Sequence, residues 1–275
     1  MSVLPTATNS LRIVKIQGIK QESPTVKTFS FHDKLCAKAK PGQFVMVWIP
    51  GVDEVPMSLS AMRPDGYSSI TVAEVGEATK ALHRKKIGDV LGIRGPYGNC
   101  FTLVGGNVMV VGGGTGLAPL ASLVESLVGL HAKITFVLGA KTRDELLFLK
   151  RIETTLSRAD GKVIATTEDG SYGVKGLATD PVEKILAKKR FNMIYTCGPE
   201  KMMQKMFLLA EQRHRPLQAS LERFMRCAMG LCGSCVIGKF RVCKDGPIFS
   251  NEQLREVRNE FARFTRRADG RRISL

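Results

Sequence analysis

The chain has little that can stack on a nucleic-acid base or titrate near neutrality: its 275 residues include one Trp, four Tyr and four His. His32, His83, His131 and His214 stand far apart in sequence, so no acid–base triad is expected and no residue is assigned a catalytic role. The opening stretch, Met1 to Ser10, lacks a basic segment followed by an apolar core, so no export signal is expected and the protein is expected to begin there. The longest uncharged run, Gly95 to Val124, carries Pro96, Gly105, Gly106, Gly112, Gly113, Gly114, Gly116 and Pro119. A strand, a turn and a helix fit it better than a bilayer span.

Acidic residues are also scarce, 25 against 41 Lys plus Arg, for a formal net charge of +16. Such an excess suits nucleic acid, an acidic partner or anionic cofactors, and charge alone does not choose among them. With 44% apolar and 24% charged residues, the composition excludes disorder and a disulfide-stapled miniature scaffold. The length points to more than one core.

Short β-rich runs, Val26–Phe31, Phe44–Ile49 and Ser69–Ala73, punctuate the region up to Thr102 and predict an antiparallel barrel or sandwich. From Asn107 the texture changes. A buried strand at Val108–Val111, a helix over Leu117–Leu130 and a strand over Ile134–Leu138 form a βαβ unit, so a parallel sheet is expected. Further alternation predicts helices over Glu145–Ser157, Pro181–Ala187 and Glu200–Gln212, with strands at Val163–Thr166 and Met193–Thr196. The fold class is therefore β followed by α/β, and three domains are expected: 1–103, 104–216, and 217–275 with a basic tail from Arg255 to Leu275.

Four of the seven cysteines crowd together as Cys227, Cys232, Cys235 and Cys243, with Gly230, Gly233 and Gly238 among them. The C-x4-C-x2-C spacing of the first three suits a [2Fe–2S] site, where glycines let backbone amides approach the sulfurs. A structural zinc site is the alternative, although zinc more often uses two C-x2-C knuckles and only one is present. Cys36, Cys100 and Cys197 read as ordinary thiols.

Gly112, Gly113, Gly114, Thr115 and Gly116 follow a strand and open a helix. A bare backbone at a helix N-terminus can meet a pyrophosphate, or can simply make a tight connection. Cys197, Gly198 and Pro199 end a later strand, where open α/β sheets bind ligands and where a helix start is equally natural. The methionines Met202, Met203 and Met206 read as core. Asp169 and Ser171 suit either a ribose contact or ordinary turn chemistry. Lys188, Lys189 and Arg190 read as a solvated face.

Together, Pro41-Gly42-Gln43-Phe44, Gly112 to Pro119, Thr167 to Ser171, Cys197-Gly198-Pro199, Glu222-x2-Met225-x-Cys227 and Cys243-Lys244-Asp245-Gly246-Pro247 resemble the electron-transfer subunits of heteromeric dihydroorotate dehydrogenases. These belong to the ferredoxin–NADP reductase superfamily. The resemblance implies a six-stranded flavin-binding barrel, a nicotinamide-binding α/β domain and a small [2Fe–2S] domain. It implies FAD contacts at Pro56, Met57, Ser58, Leu59, Thr71, Val72, Ala73, Gly76, Ala78 and Thr79, and cluster ligation by Cys227, Cys232, Cys235 and Cys243. Nicotinamide contacts are implied at Gly112 to Gly116 and at Cys197 to Pro199.

The sequence departs from the pattern in two ways. Val55 stands where an arginine usually meets the flavin phosphates, leaving Arg63 or Arg94 as substitutes. Ala228 and Ala78 stand where glycine is usual, a change that a loop absorbs when φ is negative.

The resemblance further implies an FMN-containing dihydroorotate-oxidising partner, in a two-plus-two assembly in the cytoplasm, with electrons delivered through [2Fe–2S] and FAD to NAD+ in pyrimidine biosynthesis. Neither nucleic-acid binding nor integral membrane association is expected. Another flavin and iron–sulfur reductase, of hydrogenase or transhydrogenase type, is the alternative within the class. A zinc-bearing nucleic-acid-binding protein is the alternative outside it, disfavoured by the scarcity of stacking aromatics.

Overall fold

The computed structural model describes residues 6–267 and 269–274. Residues 1–5 of the stretch read for an export signal, and residues 268 and 275 of the basic tail, lie outside the described residues. A short helix, α1 (Thr6–Asn9), leads into strands β1 (Arg12–Lys15), β2 (Gly18–Ser23), β3 (Val26–His32), β4 (Phe44–Ile49), β5 (Asp53–Met62) and β6 (Tyr67–Ala73). Helix α2 (Glu77–His83) and strand β7 (Val90–Tyr97) come next.

These strands form one sheet ordered β1-β7-β4-β5-β6-β3-β2. Its two edges are successive parts of a single segment. Between β1 and β2, the Ile16 amide donates to the Asp89 carbonyl at 2.9 Å and the Gln17 amide to the Ser30 carbonyl at 2.8 Å. The segment therefore acts as one stave, and the sheet closes as the expected six-stave barrel without an exposed edge.

Strand alternation fills the barrel: Val45, Val47 and Ile49 of β4 point inward beside Phe29, Phe31, Leu59, Ile70 and Ile93, as the two-residue period requires. The opposite face of β4 is buried too. Phe44 and Met46 join Tyr97 in a second core shared with the C-terminal half of the chain, and this core welds the two halves together.

The second sheet contains β8 (Asn107–Gly113), β9 (Lys133–Ala140), β10 (Gly161–Thr167), β11 (Val174–Lys175) and β12 (Met193–Cys197). Helices α3 (Leu117–Gly129), α4 (Leu149–Leu156), α5 (Thr179–Lys188) and α6 (Glu200–Gln212) connect them. The order is β11-β10-β9-β8-β12, parallel throughout. It continues past the expected domain border at residue 216: β13 (Leu217–Ser220) pairs in parallel with β12. Helix α4 starts later than the expected Glu145, because Phe148 adopts a left-handed φ of 59° and interrupts the helical path.

The remainder holds β14 (Val236–Ile237), β15 (Phe240–Arg241), α7 (Val242–Asp245), β16 (Ile248–Ser250), α8 (Asn251–Glu256), β17 (Phe264–Arg266) and β18 (Arg272–Ser274). Strand β16 returns antiparallel to β13, so the cysteine-bearing excursion leaves the large sheet and rejoins it at adjacent strands. The basic tail is not frayed where it is described: β17 and β18 pair as an antiparallel hairpin. Among the described residues, no helix is long and apolar enough to cross a membrane.

Candidate functional site: two clefts and a cysteine loop

In the large sheet the chain runs outward from β8 to β11 and then returns to β12 on the other side of β8. The strand order therefore reverses between β8 and β12, the place where open α/β sheets bind ligands. Both turns singled out in the sequence fall there.

Gly113, Gly114 and Pro199 line a cavity of about 360 Å³, together with Thr166, Glu168 and Met202. Gly112 and Gly116 instead serve packing. A Cβ on Gly112 would lie 2.6 Å from Leu120, and one on Gly116 would collide with the backbone of Gly198. Gly198 itself has φ +148° and lies so close to Gly113 that a Cβ would fall 2.8 Å from its carbonyl oxygen. Cys197 is buried, and burial raises its thiol well above the usual range.

No sequence motif singles out Lys141, Lys201 and Lys205, which ring the same cavity and favour an anionic ligand. Asp169 and Ser171 turn out to satisfy each other: the Asp169 carboxylate accepts from the Ser171 amide at 2.9 Å and hydroxyl at 2.7 Å. Glu168, rather than Asp169, faces the cavity.

A second cleft, about 540 Å³, opens between the barrel and the large sheet. From the barrel come Pro56, Met57, Ser58, Thr71, Val72, Ala73 and Thr79, and from the glycine turn comes Thr115. Thr71 is positioned by a chain of hydroxyls: Thr28 Oγ1 lies 2.8 Å away, and Thr71 Oγ1 donates to Ser60 Oγ at 3.0 Å. Three expected contacts are not brought to this wall. Leu59, one residue beyond Ser58, turns into the barrel core by strand alternation, and Ala78 fills the same core. Gly76 is the N-cap of α2, where Thr79 Oγ1 accepts the Val75 and Gly76 amides, each at 2.9 Å.

Neither expected substitute for the missing arginine reaches the cleft. Val55 packs against the barrel core. Arg94 is held in a fork by Glu54 at 2.7 and 2.6 Å, and Arg63 stacks on Tyr67 with its guanidinium 4.7 Å from the ring centre. The arginines that do line the cleft are Arg223 and Arg266. Arg223 is consumed by Glu200, at 2.7 and 2.8 Å. Glu222 also lines this cleft, and its carboxyl is raised by desolvation and by the like charge of Glu200.

The run from Ser220 to Met225 forms one wall of the cleft and leads directly to Cys227. The loop beyond turns at Ala228, Gly230, Gly233 and Gly238, all at positive φ. Ala228, at φ 61°, therefore adopts the strained conformation rather than the negative φ an alanine prefers.

Backbone amides point at sulfur. Leu231 N lies 3.3 Å and Cys232 N 3.5 Å from Cys227 Sγ, and Cys243 N lies 3.4 Å from Cys235 Sγ. Among the described residues no three Cys, His, Asp or Glu side chains close on a single metal-sized point. The donor set nevertheless suits an iron–sulfur group: four soft thiols, free of disulfides, and amides already aimed at two of them. Burial opposes ionisation of the Cys232 thiol, but hydrogen bonding with Ser234 and Cys227 prevails and lowers it, whereas the hydrogen bond with Cys235 and burial raise Cys243.

A barrel and a parallel sheet that share one cleft, with a four-cysteine loop leading off its wall, define a reductase of the ferredoxin–NADP reductase type. The oxidoreductase NAD-binding domain family matches residues 110–207, and the iron-sulfur cluster binding domain of dihydroorotate dehydrogenase B matches residues 222–255. The chain is 44% identical to a probable dihydroorotate dehydrogenase B (NAD(+)) electron transfer subunit of Methanocaldococcus jannaschii, covering 95% of this chain and 97% of that protein. It is likewise 44% identical to the protein of the same description from Methanocella arvoryzae, over 94% and 97% of the two chains.

Among solved structures, one described as an NADH-dependent reduced ferredoxin–NADP oxidoreductase superposes with a TM-score of 0.80 at 31% identity, covering 90% of this chain and 92% of that one. The chain belongs to the family of dihydroorotate dehydrogenase B electron transfer subunits. It is an oxidoreductase subunit.

Proposed function

We propose that this chain relays electrons from an FMN-containing, dihydroorotate-oxidising partner subunit to NAD+. It holds [2Fe–2S] on Cys227, Cys232, Cys235 and Cys243, FAD in the cleft between barrel and sheet, and the nicotinamide nucleotide over Gly113, Gly114 and Pro199. The observation that carries this reading is the shared wall. Barrel residues Ser58 and Thr71, Thr115 after the glycine turn, and Ser220 to Met225 before the first cysteine all border one cleft.

When bound, the flavin supplies the exchange between single electrons and a hydride. The chain's own residues do the rest. Thr71 and Ser58 offer hydroxyls to a polar ring edge, Phe44 and Met225 exclude water, and Gly113 and Gly114 allow a ligand to approach the backbone. Among the described residues no histidine lines either cleft, so no acid–base relay is invoked.

The partner would meet the exposed side of the cysteine loop. There Leu231 is 77% exposed beside the exposed Cys232, an apolar contact next to a ligand. A two-plus-two assembly and a cytoplasmic location belong to the same proposal.

The test is an anaerobic visible spectrum of the purified protein with iron, sulfide, zinc and flavin assays, followed by dihydroorotate-dependent NAD+ reduction with the partner added. Iron and sulfide near two each per chain, one released FAD, and turnover only with the partner are expected. Zinc without sulfide or flavin would refute the reading. Cluster and flavin with no dihydroorotate turnover would favour another flavin and iron–sulfur reductase.

A further inference from the structure

The cleft assigned to FAD receives a dinucleotide whose only formal negative charge lies on its diphosphate, yet the strand that usually supplies the matching arginine carries Val55. Of the two arginines on the cleft wall, Arg223 is committed to Glu200. The other is Arg266, the last residue of β17.

Arg266 is under-partnered in a way that Arg223 is not. Its Nε is buried with no hydrogen-bond partner. The nearest carboxylate, Glu260, is 3.6 Å from its Nη2, too long for a good hydrogen bond. Glu260 is also divided among other donors, at 3.4 Å from Arg272 and 3.1 Å from the Gly238 amide. A guanidinium carries five N–H donors in a fixed fork, and leaving one buried and unmade is costly.

The segment that carries it is firmly built. Arg272 lies over the Phe264 ring at 4.4 Å, and Arg267 N donates to Arg271 O at 2.9 Å across the hairpin. Upstream, Ala262 N donates to Glu200 Oε1 at 2.8 Å, and Phe261 packs on Phe207. The hairpin thus presents a cation at a fixed place rather than trailing into solvent.

We propose that Arg266 binds the diphosphate of FAD, replacing from the C-terminal hairpin the cation that Val55 removes from the barrel. This rests on the assignment of the cleft to FAD. A guanidinium and a phosphate form a charge-assisted fork, and the buried Nε then has its acceptor. The basic tail gains a role inside the chain.

The experiment measures dissociation constants of FAD and of riboflavin, which lacks phosphate, by flavin fluorescence on the full-length protein stripped of flavin. Arg266→Gln and Arg266→Lys are compared with the unmodified chain. For Arg266→Gln, FAD binding is expected to weaken at least about tenfold with riboflavin binding little changed, and Arg266→Lys is expected to recover part of the loss. Thermal unfolding of the flavin-free proteins reports whether the hairpin stays folded.

Unchanged FAD affinity in Arg266→Gln, or equal weakening of FAD and riboflavin, would overturn the assignment and leave the cleft reading intact. Failure of the unmodified chain to bind either flavin would overturn both.

Discussion

Gly116 and Gly198 touch backbone to backbone: the start of α3 rests on the turn after β12 so closely that Gly116 has no room for a Cβ. Gly116 has an ordinary helical φ of −60°, so space rather than conformation demands glycine. Gly116→Ala should push the two turns apart and cost about 1–3 kcal/mol. A lowered denaturation midpoint and an NADH affinity weakened more than about tenfold would be read by urea titration and fluorescence. Unchanged values would mean that the turns separate freely.

Ala228 presents the reverse case. At φ 61° it has the conformation that favours glycine, the residue usual at that position in the pattern it resembles. Ala228→Gly should stabilise the cysteine loop by about 1 kcal/mol. A slower loss of visible absorption on incubation with an iron chelator is the expected measurement. Faster loss would show that loop entropy outweighs the relieved strain.

Glu200 and Arg223 form a pair whose side chains are 12% and 3% exposed, and Glu200 also accepts the Ala262 amide. It therefore ties α6, the cleft wall and the C-terminal segment together. Glu200→Ala should cost about 3–5 kcal/mol, because it strands a buried guanidinium. Chemical denaturation gives the number directly, and a loss under about 1 kcal/mol would show that water replaces the carboxylate easily.

Asp33 sets an acid limit on the barrel. Burial opposes ionisation, but hydrogen bonds from Arg12 and the Cys36 amide prevail and hold its carboxyl below the usual range. Because the folded value is depressed, its contribution is fully present above the unfolded value of about 3.9 and disappears as the pH falls through the folded one. Asp33→Asn keeps an oxygen for the Leu35 and Cys36 amides, at 2.9 and 2.8 Å, while discarding the charge opposite Arg12. The two proteins should differ in denaturation midpoint at about pH 6 and converge towards about pH 3. A constant gap would exonerate the carboxylate.

Cys243→Ser should abolish iron and sulfide yet leave flavin bound, since none of the four cysteines lines the cleft proposed for it. Loss of both chromophores together would mean that the loop shapes the cleft from behind.

Much of this was legible in the sequence because it was written in periodicity and punctuation. The β-rich run Phe44–Ile49 and the strand, glycine turn and helix expected over Val108–Val111 and Leu117–Leu130 are local patterns, and the elements form there within a residue or two. Leu217–Ser220 and Ile248–Ser250 were not foreseen as strands, because segments of four and three residues carry no period, and only their sheet partners give them identity.

Leu59 and Ala78 are expected at the cleft only through the family resemblance, whereas alternation along a strand and the inward face of a short helix place them in the barrel core. The arginine-rich tail gave no strand signal at all. Its pairing is held by a cation over Phe264 and by backbone bonds that composition cannot foretell.

The excursion that carries the cysteines departs after Ser220 and re-enters at Ile248, and these two residues face each other across neighbouring strands. Leu221 N and Pro247 O, one step further out, are joined at 2.9 Å. The loop therefore hangs from a closed gate rather than a hinge, and Ser220, Leu221 and Pro247 themselves border the cleft between barrel and sheet. Separating the two ends of the loop therefore requires breaking sheet hydrogen bonds, so the cleft wall and the root of the cysteine loop move only together.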